Sequence, residues 1–563
     1  MHDHAQSLLV HFRRAEEIKA ASLAYPSHTL RPDQHLFLEL LLTRALYPLT
    51  GYLGRADFES VLSGMRLADG RLMPWPVSLD VAAGLGQKLA VGDCLALRDT
   101  EGFMLAVLTV NETWPADPVA EASALFGVAD PATHPGAAAY VAEAGAVRVA
   151  GEVVGLALPP HADFPDLRLT PAQIQTLFQH RGWRSVLACP TTGIPHLADK
   201  AVIQRAAKSI GARALLARPV GEAMAGGAAH FAGVRCTGHF TASFPKGTAQ
   251  LVLLPLPQPG AGPRQALFEA VIHGNLGASH TLVARDQNDP RDPAGGPLYP
   301  LGAAQALVAA HEAETAVTMV AAEPMVYVEE KAQYEPEDAV SPEETVRRLE
   351  AGEFSRRLEF DLAIPDWFAL PEVVAELRSV FPPRSKQGFT LFMTGLSGAG
   401  KSTLAKILYV MFMERRARPV TLLDGDIVRR HLSSELTFSR EHRNLNIARI
   451  GYVASEITKN GGIAICAPIA PYASARRVAR ELVSPHGGFV EIHVSTPIAV
   501  CEQRDRKGLY AKARAGLIKD VTGIDDPYEA PEHAELVLDT TSLSPGEAAQ
   551  EVLLYLEAQG YMG

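Results

Sequence analysis

The chain is short of cysteine, has no long apolar run and shows no surplus of positive charge. Each shortage closes off a class of protein. Five cysteines in 563 residues, at Cys94, Cys189, Cys236, Cys466 and Cys501, lie far apart with no C-x-x-C pair. That excludes a disulfide framework or a zinc site and fits reduced, mostly buried thiols in a cytoplasm. No apolar stretch approaches the ~20 residues that cross a bilayer, and the opening residues lack a signal-peptide layout. A membrane is therefore not an expected partner. The formal net charge of -11 argues against non-specific nucleic-acid binding. An anionic substrate must instead meet a local basic cluster. The hydrophobic fraction of 47% is ordinary for a globular chain. The length suits three or four compact units of roughly 100–200 residues each.

Along the chain, the first ~165 residues read as short β-rich segments between turns, with strands around 94–97 and 104–110. From about 169 to 367, short apolar strands (185–188, 250–254, 280–283) alternate with helical stretches such as 263–272, an α/β pattern. Two polar stretches, 286–297 and 329–344, read as loops. The segment 381–388, FPPRSKQG, reads as a linker. An apolar strand at 389–393 follows it and opens a new pattern.

That strand runs into Gly395-Leu396-Ser397-Gly398-Ala399-Gly400-Lys401-Ser402, which matches the G-x-x-x-x-G-K-[ST] phosphate loop. Thr403 and the residues to 413 read as the helix that follows. Backbone N–H groups of such a turn curl around a phosphate at a helix N-terminus, where the dipole favours negative charge. Lys401 is expected to reach the β- and γ-phosphates and Ser402 to hold Mg²⁺. A Gly-rich turn with no ligand is the bland alternative, and the strand–turn–helix context disfavours it.

A second strand, 420–423, ends in Asp424-Gly425-Asp426. Carboxylates at a strand's C-terminal edge lie beside bound phosphates in an open α/β sheet. One can bind Mg²⁺ through water, and the other can take a proton from an acceptor hydroxyl. Then comes the basic cluster that the net charge demanded: Arg429, Arg430, Arg440, Arg443 and Arg449, interleaved with Phe438, Asn444 and Asn446. Guanidinium groups can clamp phosphate or sulfate, and an aromatic ring can stack on a purine; a solvated helix face is the competing reading. A third strand, 463–467, leads into PIAPY (468–472) and Arg476-Arg477. Residues 502–510, EQRDRKGLY, have the composition of a lid over a polyphosphate.

These residues resemble adenylyl-sulfate kinase. The phosphate loop, LDGD at 423–426, Phe438-Ser439 with Arg443 and Asn446, and CEQRD at 501–505 carry the resemblance. So do KGLY at 507–510, TGID at 522–525 and PYEAP at 527–531. The resemblance covers about 386 to 563. It implies transfer of the ATP γ-phosphoryl group to the 3′-hydroxyl of adenylyl sulfate, with Mg²⁺ as cofactor. By resemblance, Lys401, Asp424 and Asp426 are catalytic, and the phosphate loop through Thr403, with Arg504, binds ATP. Arg429, Phe438, Arg443, Asn446, Ile469, Lys507 and Leu509 would contact the substrate. Four positions depart from the family pattern: Ile427 for Asn, Ala470 for Ser, Arg506 for Pro and Val521 for Phe. With Ala470, no phosphoserine can form there; direct in-line transfer does not need one.

Residues 25 to 375 resemble ATP sulfurylase through YPLTGY (47–52), MRLADG (65–70), Arg181-Gly182-Trp183, Gly262-Pro263-Arg264 and MVYVEE (325–330). The catalytic motifs are rewritten. Where the family has Gln-Thr-Arg-Asn and two histidines, this chain has Pro190-Thr191-Thr192-Gly193, His196 and Asp199. Gly-Arg-Asp-His-Ala-Gly becomes Ala284-Arg285-Asp286-Gln287-Asn288-Asp289. Ser-Gly-Thr with a following Arg becomes Ser341-Pro342-Glu343 with Val346. Losing an Arg aimed at a transition-state anion costs several kcal/mol. Arg285 is expected to serve as a structural ion-pair partner.

The expected architecture is multidomain α/β: a β-rich (PUA-like) domain at 1–168, a sulfurylase-like α/β domain without activity at 169–380, and a P-loop kinase with a parallel sheet at 386–563. Expected partners are ATP, adenylyl sulfate and further copies of the chain, as a dimer or hexamer. The alternatives are a bifunctional sulfurylase/kinase and a nucleotide-binding scaffold.

Overall fold

The computed structural model describes residues 7–221, 223–292, 295–415 and 418–562. The chain divides into two compact units. The first runs to Leu349 and takes back Pro365–Glu376; the second comprises Glu350–Ile364 and Leu377 onward.

In the first unit, β1 (Ser27–Thr29), β2 (Gly51–Tyr52), β3 (Leu79–Val81), β4 (Cys94–Arg98), β5 (Met104–Pro115) and β6 (Val147–Gly155) form one sheet. Its order is β1-β4-β5-β6-β2, with β3 also paired to β6. The β-rich expectation holds for this sheet but missed helices such as Pro32–Leu42 and Pro118–Phe126. In Pro32–Leu42 the leucines 36, 38, 40, 41 and 42 are all buried. A helix buried around most of its circumference has no polar stripe, so its period is hidden.

The strands β7 (Val186–Pro190), β8 (Arg213–Pro219), β9 (Ala249–Leu254), β10 (His280–Val283) and β11 (Thr318–Ala321) form a parallel sheet ordered β11-β10-β7-β8-β9. The strand order reverses between β7 and β10, where open α/β sheets bind their ligands. One apolar cluster runs from Leu30 to Val317, so the six-stranded sheet and one face of the parallel sheet share a core. Arg264, buried in the helix Gly262–Asn275, braces that junction. Its guanidinium donates to the carbonyls of Pro74 (2.7 Å), Leu62 and Ala124 (both 3.1 Å) and Val61. With no acid partner among the described residues, burial pushes its pKa down to about 10. A small antiparallel sheet, β13-β12-β14, follows: β12 (Met325–Val328), β13 (Gln333–Pro336) and β14 (Val346–Arg347). The stretch 329–344 is therefore not simply a loop. Pairing with β12 makes a strand of polar residues that composition alone does not favour.

In the second unit, β15 (Phe389–Thr394), β16 (Val420–Asp424), β17 (Ile463–Ala467), β18 (Gly488–Val494) and β19 (Leu536–Leu538) form a parallel sheet ordered β16-β17-β15-β18-β19. Every residue of β15 is buried. Separate apolar clusters cover the two faces of the sheet, which is why the strand reads as a continuous apolar run. The supposed linker at 381–388 is tied to this unit. Arg384 pairs with Glu359 (2.5 Å) and donates to the Gln559 carbonyl (3.1 Å), while Arg418 holds the carbonyls of Gln387 and Ser385.

Candidate active site

β15 ends at Thr394, and the turn 395–400 feeds the helix Lys401–Arg415. A side chain on Gly395 would collide with the Val494 carbonyl, and Gly398 has φ +78°, a conformation that favours glycine. Lys401 is buried. Its Nζ donates to the carbonyls of Gly395 (2.7 Å) and Leu396 (2.8 Å). Burial pushes its pKa down to about 8, because few opposite charges compensate the desolvated ammonium.

The loop opens onto a cavity of about 800 Å³. Of the expected phosphate-loop residues, Ser397, Gly398, Gly400, Lys401, Ser402 and Thr403 line it. Gly395, Leu396 and Ala399 sit behind it; Ala399 is fully buried, and its carbonyl accepts from Thr496 (3.1 Å) and Thr540 (2.9 Å). Asp424, at the end of β16, caps the helix Gly425–Leu432 by accepting the Asp426 N–H (3.1 Å). Asp426 faces the cavity and is ion-paired with Lys507 from the segment expected to be a lid. Arg504 donates to the Thr540 hydroxyl (2.8 Å) and carbonyl (2.7 Å). Ile469 and Leu509 complete the lining.

The basic cluster divides by environment. Phe438 is 62% exposed, and the Arg429 guanidinium lies 4.3 Å from its ring centroid. Burial, then the charge of Arg443, holds Arg429 below its ordinary pKa. Arg443 is buried and heavily committed. It donates to the Phe438 carbonyl (2.7 Å), Asp526 (3.0 Å), the Thr522 hydroxyl and the Asp520 carbonyl. Arg443 lines the cavity, as expected of a substrate contact, with one guanidinium N–H left to offer. Asn446 is buried on the same wall, and its Oδ1 has no hydrogen-bond partner among the described residues. Arg449, by contrast, pairs outward with Glu435 (2.7 Å).

Sequence reasoning singled out 522–525 and 527–531 but missed Thr540 and Asp526 itself. Thr540 lies just beyond β19, so the strand-end rule that found Asp424 also points to it. Asp526 carries no such signal, because it meets Arg443 only through the fold.

The strand ends of the first unit differ. After β7, Thr191 bonds the Cys189 carbonyl (3.1 Å), Thr192 is exposed, and the Gly193 carbonyl accepts from Arg218 (2.7 Å). Asp199 accepts the His196 N–H (2.9 Å) and lies 3.0 Å from its ring Nδ1. Burial lowers the His196 pKa, but the bond and charge of Asp199 outweigh it and leave the ring raised. After β10, Gln287 accepts from the Ala284 N–H (3.0 Å) and donates to Glu269 (2.9 Å), while Asp289 accepts from Leu298 (3.0 Å). Arg285 is exposed and has no ion pair among the described residues, contrary to its expected structural role; Arg291 pairs with Asp286 instead (2.6 Å). Val346 lies in β14 opposite Val328.

In the second unit a phosphate loop, the carboxylates at and just beyond the end of β16 and the basic segment around Arg504–Lys507 converge on one cavity, which defines a P-loop phosphotransferase. Family models match in order along the chain: a PUA-like domain over residues 3–157, ATP-sulfurylase over 165–380 and adenylylsulphate kinase over 387–539. A sulfate adenylyltransferase from Mycosarcoma maydis is 40% identical over 97% of this chain and 96% of its own length. One from Phaeosphaeria nodorum is also 40% identical, over 98% and 96%. A solved structure described as a hexameric APS kinase from Thiobacillus denitrificans is 40% identical with a TM-score of 0.81, covering 99% of this chain and 98% of that one. The chain belongs to the family of sulfate adenylyltransferases fused to an adenylylsulphate kinase domain, and it is an enzyme of the kinase class. All five cysteines are free, and no helix among the described residues is long and apolar enough to cross a membrane.

Proposed function

We propose that this protein phosphorylates adenylyl sulfate at its 3′-hydroxyl and that its sulfurylase-like domain no longer makes adenylyl sulfate. The domain division we assign is 1–168, 169–380 and 386–563. The observation that carries the reading is the contrast in polar side chains. Those of the kinase unit converge on one 800 Å³ cavity, whereas at the rewritten positions a neutral, exposed Thr192 and the carboxylate of Asp199 stand where the resemblance places an arginine and a histidine.

In the proposed reaction the acceptor 3′-oxygen bonds the γ-phosphorus as the bond to the β,γ-bridging oxygen breaks. Asp426 accepts the hydroxyl proton at its carboxylate, which first has to give up Lys507. Lys401 moves from the Gly395 and Leu396 carbonyls to the β- and γ-phosphates, where its charge opposes that developing in the transition state. Ser402, exposed at the cavity, and Asp424 supply hard oxygen donors that fit Mg²⁺. Mg²⁺ commonly takes one or two protein oxygens and completes its shell with phosphates and water; when bound, it neutralises phosphate charge. Arg504 holds the nucleotide side, and Arg429, Phe438, Asn446, Ile469 and Leu509 the acceptor side.

The relatives' names point to opposite ends of the chain: the fungal proteins are named for the adenylyltransferase, the Thiobacillus protein for the kinase. The bifunctional reading follows the fungal names. The loss of the motif arginine to exposed Thr192 weighs against it, since a neutral hydroxyl replaces a cation aimed at developing negative charge. The hexamer of the Thiobacillus protein supports assembly of this chain through like copies. The test is molybdate-dependent pyrophosphate release from ATP, run beside adenylyl-sulfate-dependent ADP formation on the same full-length sample. Background pyrophosphate with rapid ADP formation is expected; pyrophosphate release at a catalytic rate would overturn the silent-domain reading.

A further inference from the structure

Asp526 touches no part of the cavity, yet it joins two of the cavity's walls. Its Oδ2 accepts from Arg443 (3.0 Å) and from the Thr522 hydroxyl (3.1 Å). Its Oδ1 accepts from the Tyr472 hydroxyl at 2.6 Å. Arg443 belongs to the helix Arg440–Lys459, which also carries Asn446. Tyr472 is buried and ends the loop whose residues 468–471 also line the cavity.

The loop is anchored at further points on the same side. Thr394 Oγ1, at the foot of the phosphate loop, donates to the Ile469 carbonyl at 2.7 Å and also meets the Tyr528 hydroxyl (3.0 Å). The Pro471 carbonyl accepts from the Glu529 N–H (2.8 Å), and Glu529 in turn caps the Ala473 N–H (2.7 Å). Ala470, at φ +48°, has its carbonyl held by Arg476 (2.9 Å) and Thr394 (3.1 Å). The phosphate-loop side thus has several independent anchors. On the Arg443 side, Asp526 is the only carboxylate bonded to the guanidinium among the described residues.

We propose that Asp526 is a positioning residue for the acceptor nucleotide: it fixes Arg443, and through it Phe438 and Asn446, without touching either substrate. A buried arginine whose carboxylate is removed swings toward other acceptors, because its charge and its N–H groups must both be satisfied. The carbonyl of Phe438 is one of Arg443's ligands, so the exposed ring moves with it. The phosphate-loop carbonyls and Lys401 have no bond to Asp526, so the ATP half of the cavity keeps its geometry. This inference rests on the kinase reading above.

The experiment is steady-state kinetics of the full-length Asp526→Asn and Tyr472→Phe variants beside the wild type, with ADP formation read against adenylyl sulfate and ATP separately. Asn removes the negative charge facing Arg443, and whichever way its amide turns it sets an N–H against either Arg443 and Thr522 or the Tyr472 hydroxyl. The KM for adenylyl sulfate is expected to rise at least tenfold in D526N, with the KM for ATP within twofold. Tyr472→Phe, which keeps the Arg443 bond, is expected to raise it about threefold or less. If wild-type turnover is normal and the D526N KM for adenylyl sulfate is unchanged, the inference falls alone. A parallel rise in both KM values with a lowered melting temperature marks Asp526 as merely structural and also overturns it. A wild type without adenylyl-sulfate-dependent ADP formation overturns the kinase reading, and this inference with it.

Discussion

Around the strand ends of the kinase sheet, polar side chains face one cavity: Asn446, on its helix, keeps a bare carbonyl, Ser402 is exposed, and Asp426 is paired with Lys507. At the ends of β7 and β10, Asp199 lies on His196 and Gln287 on Glu269, while Asn288 Nδ2 has no hydrogen-bond partner among the described residues. Both sheets are parallel, and both bring loops together at the place where such sheets hold ligands. The difference lies in what the side chains have left to offer. The kinase loops gather cationic and carboxylate side chains around one cavity, whereas the loops after β7 and β10 offer a neutral Thr192 and carboxylates that repel a nucleotide's phosphates.

The sharpest way to break this contrast is Lys401→Ala. It removes the cation that faces the transferring phosphoryl group, and a loss in kcat of about 10³-fold or more is expected. Adenylyl-sulfate-dependent ADP formation is the readout, and activity within tenfold of wild type would mean that another site carries the chemistry. Pyrophosphate release with molybdate should be at background in both proteins.

The next effect concerns the other unit. Arg264→Ala leaves four carbonyls without their donor, and about 3 kcal/mol of stability should be lost. All four tryptophans, Trp75, Trp114, Trp183 and Trp367, lie in the first unit. Urea unfolding followed by tryptophan fluorescence therefore reports on that unit alone, while the kinase rate at 25 °C is expected to stay unchanged. A shift under about 1 kcal/mol would mean that water replaces the guanidinium cheaply.

The smallest effect is a pH dependence. Burial lowers Lys401 to about 8 in the unliganded protein, while bound phosphates favour its ammonium form. Above pH 8, nucleotide binding must therefore take up a proton, and affinity should fall by up to about tenfold per pH unit. Below pH 8 the lysine is already charged and this dependence vanishes. Calorimetry of ADP binding in buffers of different ionisation enthalpy measures the uptake; no uptake at pH 9 would show that Lys401 stays charged without ligand.

How much of this was legible beforehand depends on the range of the interaction involved. The phosphate loop, Asp424 and the lid are local patterns: a glycine spacing, a strand end, a basic run. Each was readable because its physics acts over a few residues. Arg443 was recognised as functional, but its commitment to Asp526 was not, because the partners are separated by 83 residues. The helix Pro32–Leu42 was missed for lack of a polar face, and β13 for lack of β-forming composition. The segment 381–388 spans the gap between the sulfurylase and kinase matches, but its attachment to the kinase unit through Arg384 and Arg418 was not legible, because those partners are distant in sequence.

By itself the sequence determined the chemistry on offer: a phosphate loop that can hold a triphosphate, and in the sulfurylase-like region Thr192 and Asp199 at the positions where the resemblance implies an arginine and a histidine. Only the tertiary structure decided which groups are spent and which are free. It set Arg264 to brace rather than bind, Arg443 to line a wall, and Lys401 to lie buried against carbonyls. The reason is physical: side-chain identity is a property of the chain, but desolvation and hydrogen-bond satisfaction are properties of what the fold places around it.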